Sequence, residues 1–138
     1  MNILVIDGQG GQLGCQIIKA IVAKHPEADV MAVGTNAVAT AAMIKGGAKK
    51  AATGENPVID ACRRADVIIG PIGIVIADSL FGEITPAMAV AVGQSNASRI
   101  FIPVNKCENL VAGVTNLTVS ALIEDTLTKL QKVFDKMA

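Results

Sequence analysis

The segment Asp7-Gly8-Gln9-Gly10-Gly11-Gln12-Leu13-Gly14-Cys15 constrains this chain more than any other. It follows an apolar run, Asn2 to Ile6. It opens a pattern from about Gly11 to Lys24 in which Leu13, Ile17, Ile18, Ile21 and Val22 share one helical stripe. A strand, a glycine-rich turn and a helix in that order begin a βαβ unit, the context in which a glycine cluster bears on ligand binding. Glycines there let the backbone approach closely, and the free amides of the helix start face an anion with the dipole behind them. The spacing is G-x-G-G-x-x-G, without the Lys-Ser/Thr of a P-loop, which disfavours ATP hydrolysis of the Walker type. The competing reading is that the glycines merely permit tight strand-to-helix packing.

Apolar runs bounded by Gly, Asn and Pro alternate with helical patterns along the rest of the chain. That predicts an α/β fold: a three-layer, doubly wound, Rossmann-like and mostly parallel sheet of five to six strands, in one domain over residues 1–138. After Pro26 ends the first helix, strands are expected at about Asp29 to Val33, Lys49 to Ala52, Asp66 to Ile69 and Arg99 to Val104. A short further strand is expected at Leu110 to Val114. Helices are expected over Asn36 to Lys45, stopped by Gly46-Gly47, and from the Thr53-Gly54-Glu55-Asn56 segment to about Arg64, with Pro57 in the first turn. Thr85-Pro86 reads as an N-cap and N1 pair for a helix to about Asn96. The last helix, Val119 to Lys136, carries Ile123, Leu127, Leu130, Phe134 and Met137 at spacings of four and three and reads as structural. The 51% hydrophobic content is almost wholly aliphatic, with three Phe and no Trp or Tyr, as parallel strands covered on both faces require.

Charge and termini exclude several functions. Lys plus Arg equals Asp plus Glu, 12 against 12, so no long-range field draws the chain to nucleic acid, and bases would find almost no aromatic rings to stack on. The amino terminus meets Asp7 and glycines too soon for a signal peptide or a membrane span, which predicts a cytoplasmic protein. Cys15, Cys62 and Cys107 are an odd, widely spaced set, which argues against a disulfide framework or a structural zinc.

Ligands of open parallel sheets bind beyond the carboxyl ends of the strands. The candidate binding residues are therefore Gly8, Gln9, Gly10, Gly11 and Gly14 of the first turn, then Thr35 and Asn36, then Thr53, Gly54 and Asn56, then Gly70 and Pro71, and finally Asn105. Lys106 is a candidate phosphate contact, and Glu55 a candidate for a hydroxyl or for acid-base work. Each of these polar residues also has a plain role in capping a helix or shaping a turn. Gly34-Thr35-Asn36 supplies neither the carboxylate that an NAD ribose takes nor an Arg for a 2′-phosphate, leaving Lys45 to swing in from the second helix. Asp7 either braces the turn through backbone amides, the reading preferred here, or holds magnesium. His25 reads as a surface residue remote from those strand ends, so no Ser-His-Asp or Cys-His base is evident. Cys15 and Cys107 are candidates for a lowered thiol pKa, against the commoner role of small buried hydrophobes. Paired acids would arise only if Asp7 met Glu55, or Asp78 met Glu83.

Pro71 to Phe81, with the Ala- and Val-rich helix Pro86 to Val92, is too apolar for a monomer's surface and predicts a homo-oligomer through the 71–92 region. A lid over a ligand is the alternative. A membrane-surface role fails for want of a basic flank.

The segments Asp7-Gly8-Gln9-Gly10-Gly11, Gly34-Thr35-Asn36, Thr53-Gly54-Glu55-Asn56, Ile69-Gly70-Pro71-Ile72, Gly82-Glu83-Ile84-Thr85-Pro86 and Pro103-Val104-Asn105 together resemble a family of small bacterial proteins described as a domain of unknown function. The resemblance spans essentially the whole chain and implies a small Rossmann-like domain without an assigned chemistry. The first turn is also similar to the G-x-G-G-Q-G segment of the gamma subunits of 2-oxoacid:ferredoxin oxidoreductases, from which Leu13 and the rest of the chain depart. The leading expectation is a domain that binds a small anionic ligand, a nucleotide or dinucleotide such as NAD(P), at the first turn. The alternatives are a structural or regulatory subunit that docks a partner through the apolar loop, and a small NAD(P)-dependent oxidoreductase completed by dimerisation.

Overall fold

Parallel neighbours cannot be joined by a hairpin, so each link between strands has to cross a face of the sheet. The computed structural model describes residues 1–104 and 108–138. Its elements are β1 (Asn2–Asp7), α1 (Gln12–Lys24), β2 (Asp29–Gly34), α2 (Ala37–Gly46), β3 (Lys50–Thr53), α3 (Glu55–Arg64), β4 (Val67–Pro71), α4 (Pro86–Gln94), β5 (Ser98–Ile102) and α5 (Val119–Met137), with a 3-10 turn at Ile72–Val75. The five strands run parallel in the order β3-β2-β1-β4-β5. The fold is thus the doubly wound α/β, Rossmann-like type. Winding proceeds outward from β1 to β3, then restarts at β4 on the other side of β1. The carboxyl ends of β1 and β4 therefore flank the switch point at which such sheets take ligands.

Alternation along β1 separates two cores. Ile3 and Val5 pack with Ile17, Ile18 and Ile21 of α1, Met43 of α2 and Leu130 of α5. Leu4 and Ile6 face the other way, onto Val58 and Cys62 of α3 and Met88 and Val92 of α4. The α4 start is capped as its sequence demands: the Thr85 hydroxyl accepts the Met88 N–H at 3.2 Å, and Pro86 stands where no amide is needed.

Three expectations are corrected. Leu110 to Val114 forms no strand; Gly113 is left-handed (φ 82°) and Val114 N–H closes a turn onto Val111 C=O, so the described sheet stops at five strands. His25 is not on the surface: its side chain is 11% exposed, and its ring meets Phe134 of α5 edge-on at 4.7 Å. The apolar segment after β4 is not left open either. Ile74, Leu80 and Ile84 enter the α3–α4 core, and Phe81 and Val90 are the large apolar side chains of the 71–92 region that stay exposed. Among the described residues, no helix is long and apolar enough to cross a membrane.

Central burial has a measurable consequence. Ile68→Ala, at a fully buried position in β4, is expected to destabilise by about 2–5 kcal/mol. Ile44→Ala, half-exposed on α2, should stay within about 0.5 kcal/mol. Urea unfolding of the two variants checks both values.

Candidate functional site: two carboxylates at the first turn

The first turn is built around Asp7. Its carboxylate is buried at the end of β1, where Oδ1 accepts the Gly8 N–H at 2.8 Å and Oδ2 the Gly14 N–H at 2.7 Å. Gly14 lies in the first turn of α1, so an acid of the preceding strand caps the helix from inside. Burial pushes the Asp7 carboxyl above its ordinary range; the two N–H donors oppose that rise, and the nearby Glu83 charge adds to it. Asp7 thus braces the turn through backbone amides, as its position suggested.

The glycines divide by role. Gly11 is left-handed (φ 73°), and a Cβ there would stand 2.6 Å from the Ala39 backbone. A Cβ on Gly14 would meet Met43 Sδ at 2.6 Å. Both positions serve the close packing of α1 on α2. Gly10 is different: it is exposed, and a Cβ on it would meet nothing within 4 Å. Among the described residues no acceptor takes the N–H of Gly10, Gln12 or Leu13, the last two being first-turn amides without an intrahelical carbonyl, whereas Gly11 N–H turns back onto Gly8 C=O and Gly14 N–H is held by Asp7.

A second carboxylate, from Glu83, lies across the same turn. Its Oε1 accepts the Thr35 hydroxyl at 2.5 Å, the Asn36 Nδ2 at 2.8 Å and the Gln9 N–H at 2.9 Å. Asn36 Nδ2 also reaches Gln9 C=O at 3.0 Å, while its Oδ1 caps α2 through Ala39 N–H. Burial pushes Glu83 up, but the Thr35, Gln9 and Asn36 donors outweigh it and hold the carboxyl below the usual glutamate range. Glu83 was absent from the expected site because it lies 48 residues from Thr35 along the chain. The available signal was a vacancy, the missing acid at the end of β2.

The other expected residues are placed as follows. Gln9, Thr35 and Asn36 meet at Glu83. Thr53 bonds instead to Thr40 of α2, hydroxyl to hydroxyl, at 2.7 Å. Gly54 is left-handed (φ 109°) and caps α3, and its N–H meets Gly34 C=O. Glu55 and Asn56 are exposed in the first turn of that helix. Gly70 and Pro71 are buried within β4 itself rather than following it. Lys45 is in the last turn of α2, a helix of 10 residues and so about 15 Å long, at the end away from Asn36, too far to replace an Arg beside it. Cys15 is buried, and burial pushes the Cys62 thiol up to about 11. Asn105, Lys106 and Cys107 lie outside the described residues. Neither expected pair of acids forms the observed one: the carboxylates that share the turn are Asp7 and Glu83.

The model of the family described as "Domain of unknown function (DUF3842)" matches residues 2–135. The chain belongs to that family. Comparison with curated proteins returned no match. Among solved structures, the DUF3842 chain is similar to a dodecameric FMN-dependent UbiX-like decarboxylase from Escherichia coli O157:H7. The identity is 14%, the TM-score is 0.43, and the match covers 99% of this chain and 94% of that one.

The Glu83 contacts fix a pH response. A carboxyl held lower in the folded than in the unfolded state contributes stability above the unfolded pKa and loses it as pH falls through the folded one. Relative to Glu83→Gln, the natural protein is expected to melt higher at neutral pH, with the difference closing as pH drops below the glutamate range. Melting curves of both proteins from neutral to acid pH check the sign.

Proposed function

We propose that this chain binds a nucleotide across the carboxyl ends of β1 and β2. The single observation that carries the reading is the pairing of opposite chemistries on one turn. The unaccepted N–H groups of Gly10, Gln12 and Leu13 stand at the start of α1, and the Glu83 carboxylate is clasped at the end of β2. The amides suit a phosphate, backed by the helix dipole. The carboxylate suits hydroxyl donors, the part that an acid at the end of the second strand plays in dinucleotide-binding sheets. Gly8, Gly10, Gly11 and Gly14 shape the phosphate side, and Gln9, Thr35 and Asn36 orient Glu83. Thr53, Gly54 and Asn56 border the β3 side.

The test is melting of the purified protein against a panel of nucleotides and dinucleotides. At a hundred times its dissociation constant a ligand stabilises by about 2.7 kcal/mol, a rise of several degrees. Gly10→Asp is expected to abolish that rise with the ligand-free melting point nearly unchanged, since the new side chain enters open space and opposes an anion. Folded natural protein that no compound stabilises would remove the nucleotide reading.

A second reading, self-association through the 71–92 region, is favoured by Phe81. Its side chain is 98% exposed, and Leu80, Phe81 and Gly82 are all left-handed (φ 55°, 56° and 85°). Two consecutive non-glycine residues in that region cost of order 1–3 kcal/mol each, a strain associated with functional sites. Phe81→Ser is expected to convert an oligomer to monomer in light scattering coupled to gel filtration. A natural protein that runs as a monomer at high concentration would sink this reading.

A further inference from the structure

Glu83 reaches the end of β2 from the loop that follows β4, so the group that would read a ribose and the segment that fills the switch point are one piece of chain. We infer that the ligand is a mononucleotide with both ribose hydroxyls free, with Glu83 accepting from the ribose, and that the 72–84 loop excludes a second nucleoside half. The inference rests on the nucleotide reading above and deepens it.

Two independent observations carry it. The first is the division of labour on the Glu83 carboxylate. Oε1 is occupied three times, by Gln9, Thr35 and Asn36, which fixes the side chain's direction. Oε2 takes no hydrogen bond from any described residue, and it is not among the buried polar atoms left without a partner, so it keeps an open acceptor with some access to solvent. Neighbouring hydroxyls of a ribose satisfy such an acceptor; a 2′-phosphate would face both this charge and that of Asp7 beneath it.

The second is the filling of the crevice on the β4 side. Leu80 is buried, and its Cδ1 lies 2.9 Å from where a Cβ on Gly8 would stand, so it covers the turn directly. Beside it the loop is knitted to itself: Asp78 N–H to Ile84 C=O at 2.7 Å, Ile84 N–H to Ser79 C=O at 3.2 Å, and the Ser79 hydroxyl to Gly73 C=O. Ile74 and Ile84 anchor it in the core with no exposure. A dinucleotide laid across such a sheet runs from the second strand over the first to the restart strand. Here the last part of that path is occupied by Leu80 and its loop. The β2 side, over Gln9, Gly10 and Asn36, is exposed or partly so.

The experiment is isothermal titration of the full chain at pH 7 with the adenine, guanine, cytosine and uracil ribonucleoside diphosphates. It continues with the 2′-deoxy counterpart of whichever binds best, its 2′-phosphorylated form and the corresponding NAD-type dinucleotide. The expected result is binding of a ribonucleotide, at least tenfold weaker binding of the 2′-deoxy form, still weaker binding of the 2′-phosphate, and a dinucleotide weaker than the mononucleotide. Glu83→Gln keeps the side chain's shape and its Oε1 acceptor; it should bring the ribo and deoxy affinities within about twofold while the protein remains folded by circular dichroism. Equal ribo and deoxy affinities in the natural protein, or a dinucleotide that binds more tightly than its mononucleotide, would overturn this inference and leave the nucleotide reading standing. No binding of any of the four to folded protein would overturn both.

Discussion

The buried carboxylate of Asp7 ties the first strand to the first helix, and the rest of the site is organised around that tie. A carboxyl group in a residue 6% exposed is costly to bury without hydrogen-bond donors, and two backbone N–H groups, six residues of chain apart at Gly8 and Gly14, supply them. Meeting both donors at once forces the chain between them into a compact turn. The turn in turn demands a left-handed Gly11 and a side-chain-free Gly14 against Met43. The same strand end receives Thr35 N–H on the Asp7 carbonyl, so the start of α2 is registered to the turn as well.

That brace changes what the glycine-rich motif can do. In a site that gives a helix N-terminus wholly to a phosphate, the amides of the first turn point outward together. Here the Gly14 amide is turned inward onto Asp7, and the Gln9 amide is spent on Glu83. The N–H groups of the turn that no described residue accepts are those of Gly10, Gln12 and Leu13. Asp7 is held by the amides of Gly8 and Gly14, and Glu83 joins the turn at Gln9 to the end of β2 at Thr35 and Asn36.

Much of the fold was legible because each element has a local cause. The stripe of Ile17, Ile18 and Ile21, the Thr85-Pro86 start and the Gly46-Gly47 stop place helices to within two residues or so of the observed bounds. Aliphatic runs such as Val67 to Ile69 allow no other home than a strand covered on both sides. Less was legible where the deciding partner is distant. Leu110 to Val114 has strand composition but no neighbour to pair with, and a turn at Gly113 wins. His25 looked solvated because nothing near it in sequence announces Phe134. The apolar run after β4 looked wholly exposed because the burial of Ile74, Leu80 and Ile84 depends on α3 and α4, distant in sequence; Phe81 alone of that run's large side chains stays fully out.

The sequence by itself determined the parallel α/β architecture, the glycine-rich turn after β1 and the bracing part of Asp7. All of these depend on residues within one or two elements, where periodicity, capping and strand-to-helix order leave few alternatives. Only the tertiary structure decided which acid stands at the end of β2. A side chain on the loop after β4 reaches Thr35 and Asn36 because the restart of the sheet brings β4 beside β1, and no local pattern encodes that meeting. The hydrogen bonds that hold Glu83 there span 47, 48 and 74 residues of chain, distances over which spacing carries no information and only tertiary packing, β4 beside β1 and Leu80 over Gly8, sets the geometry.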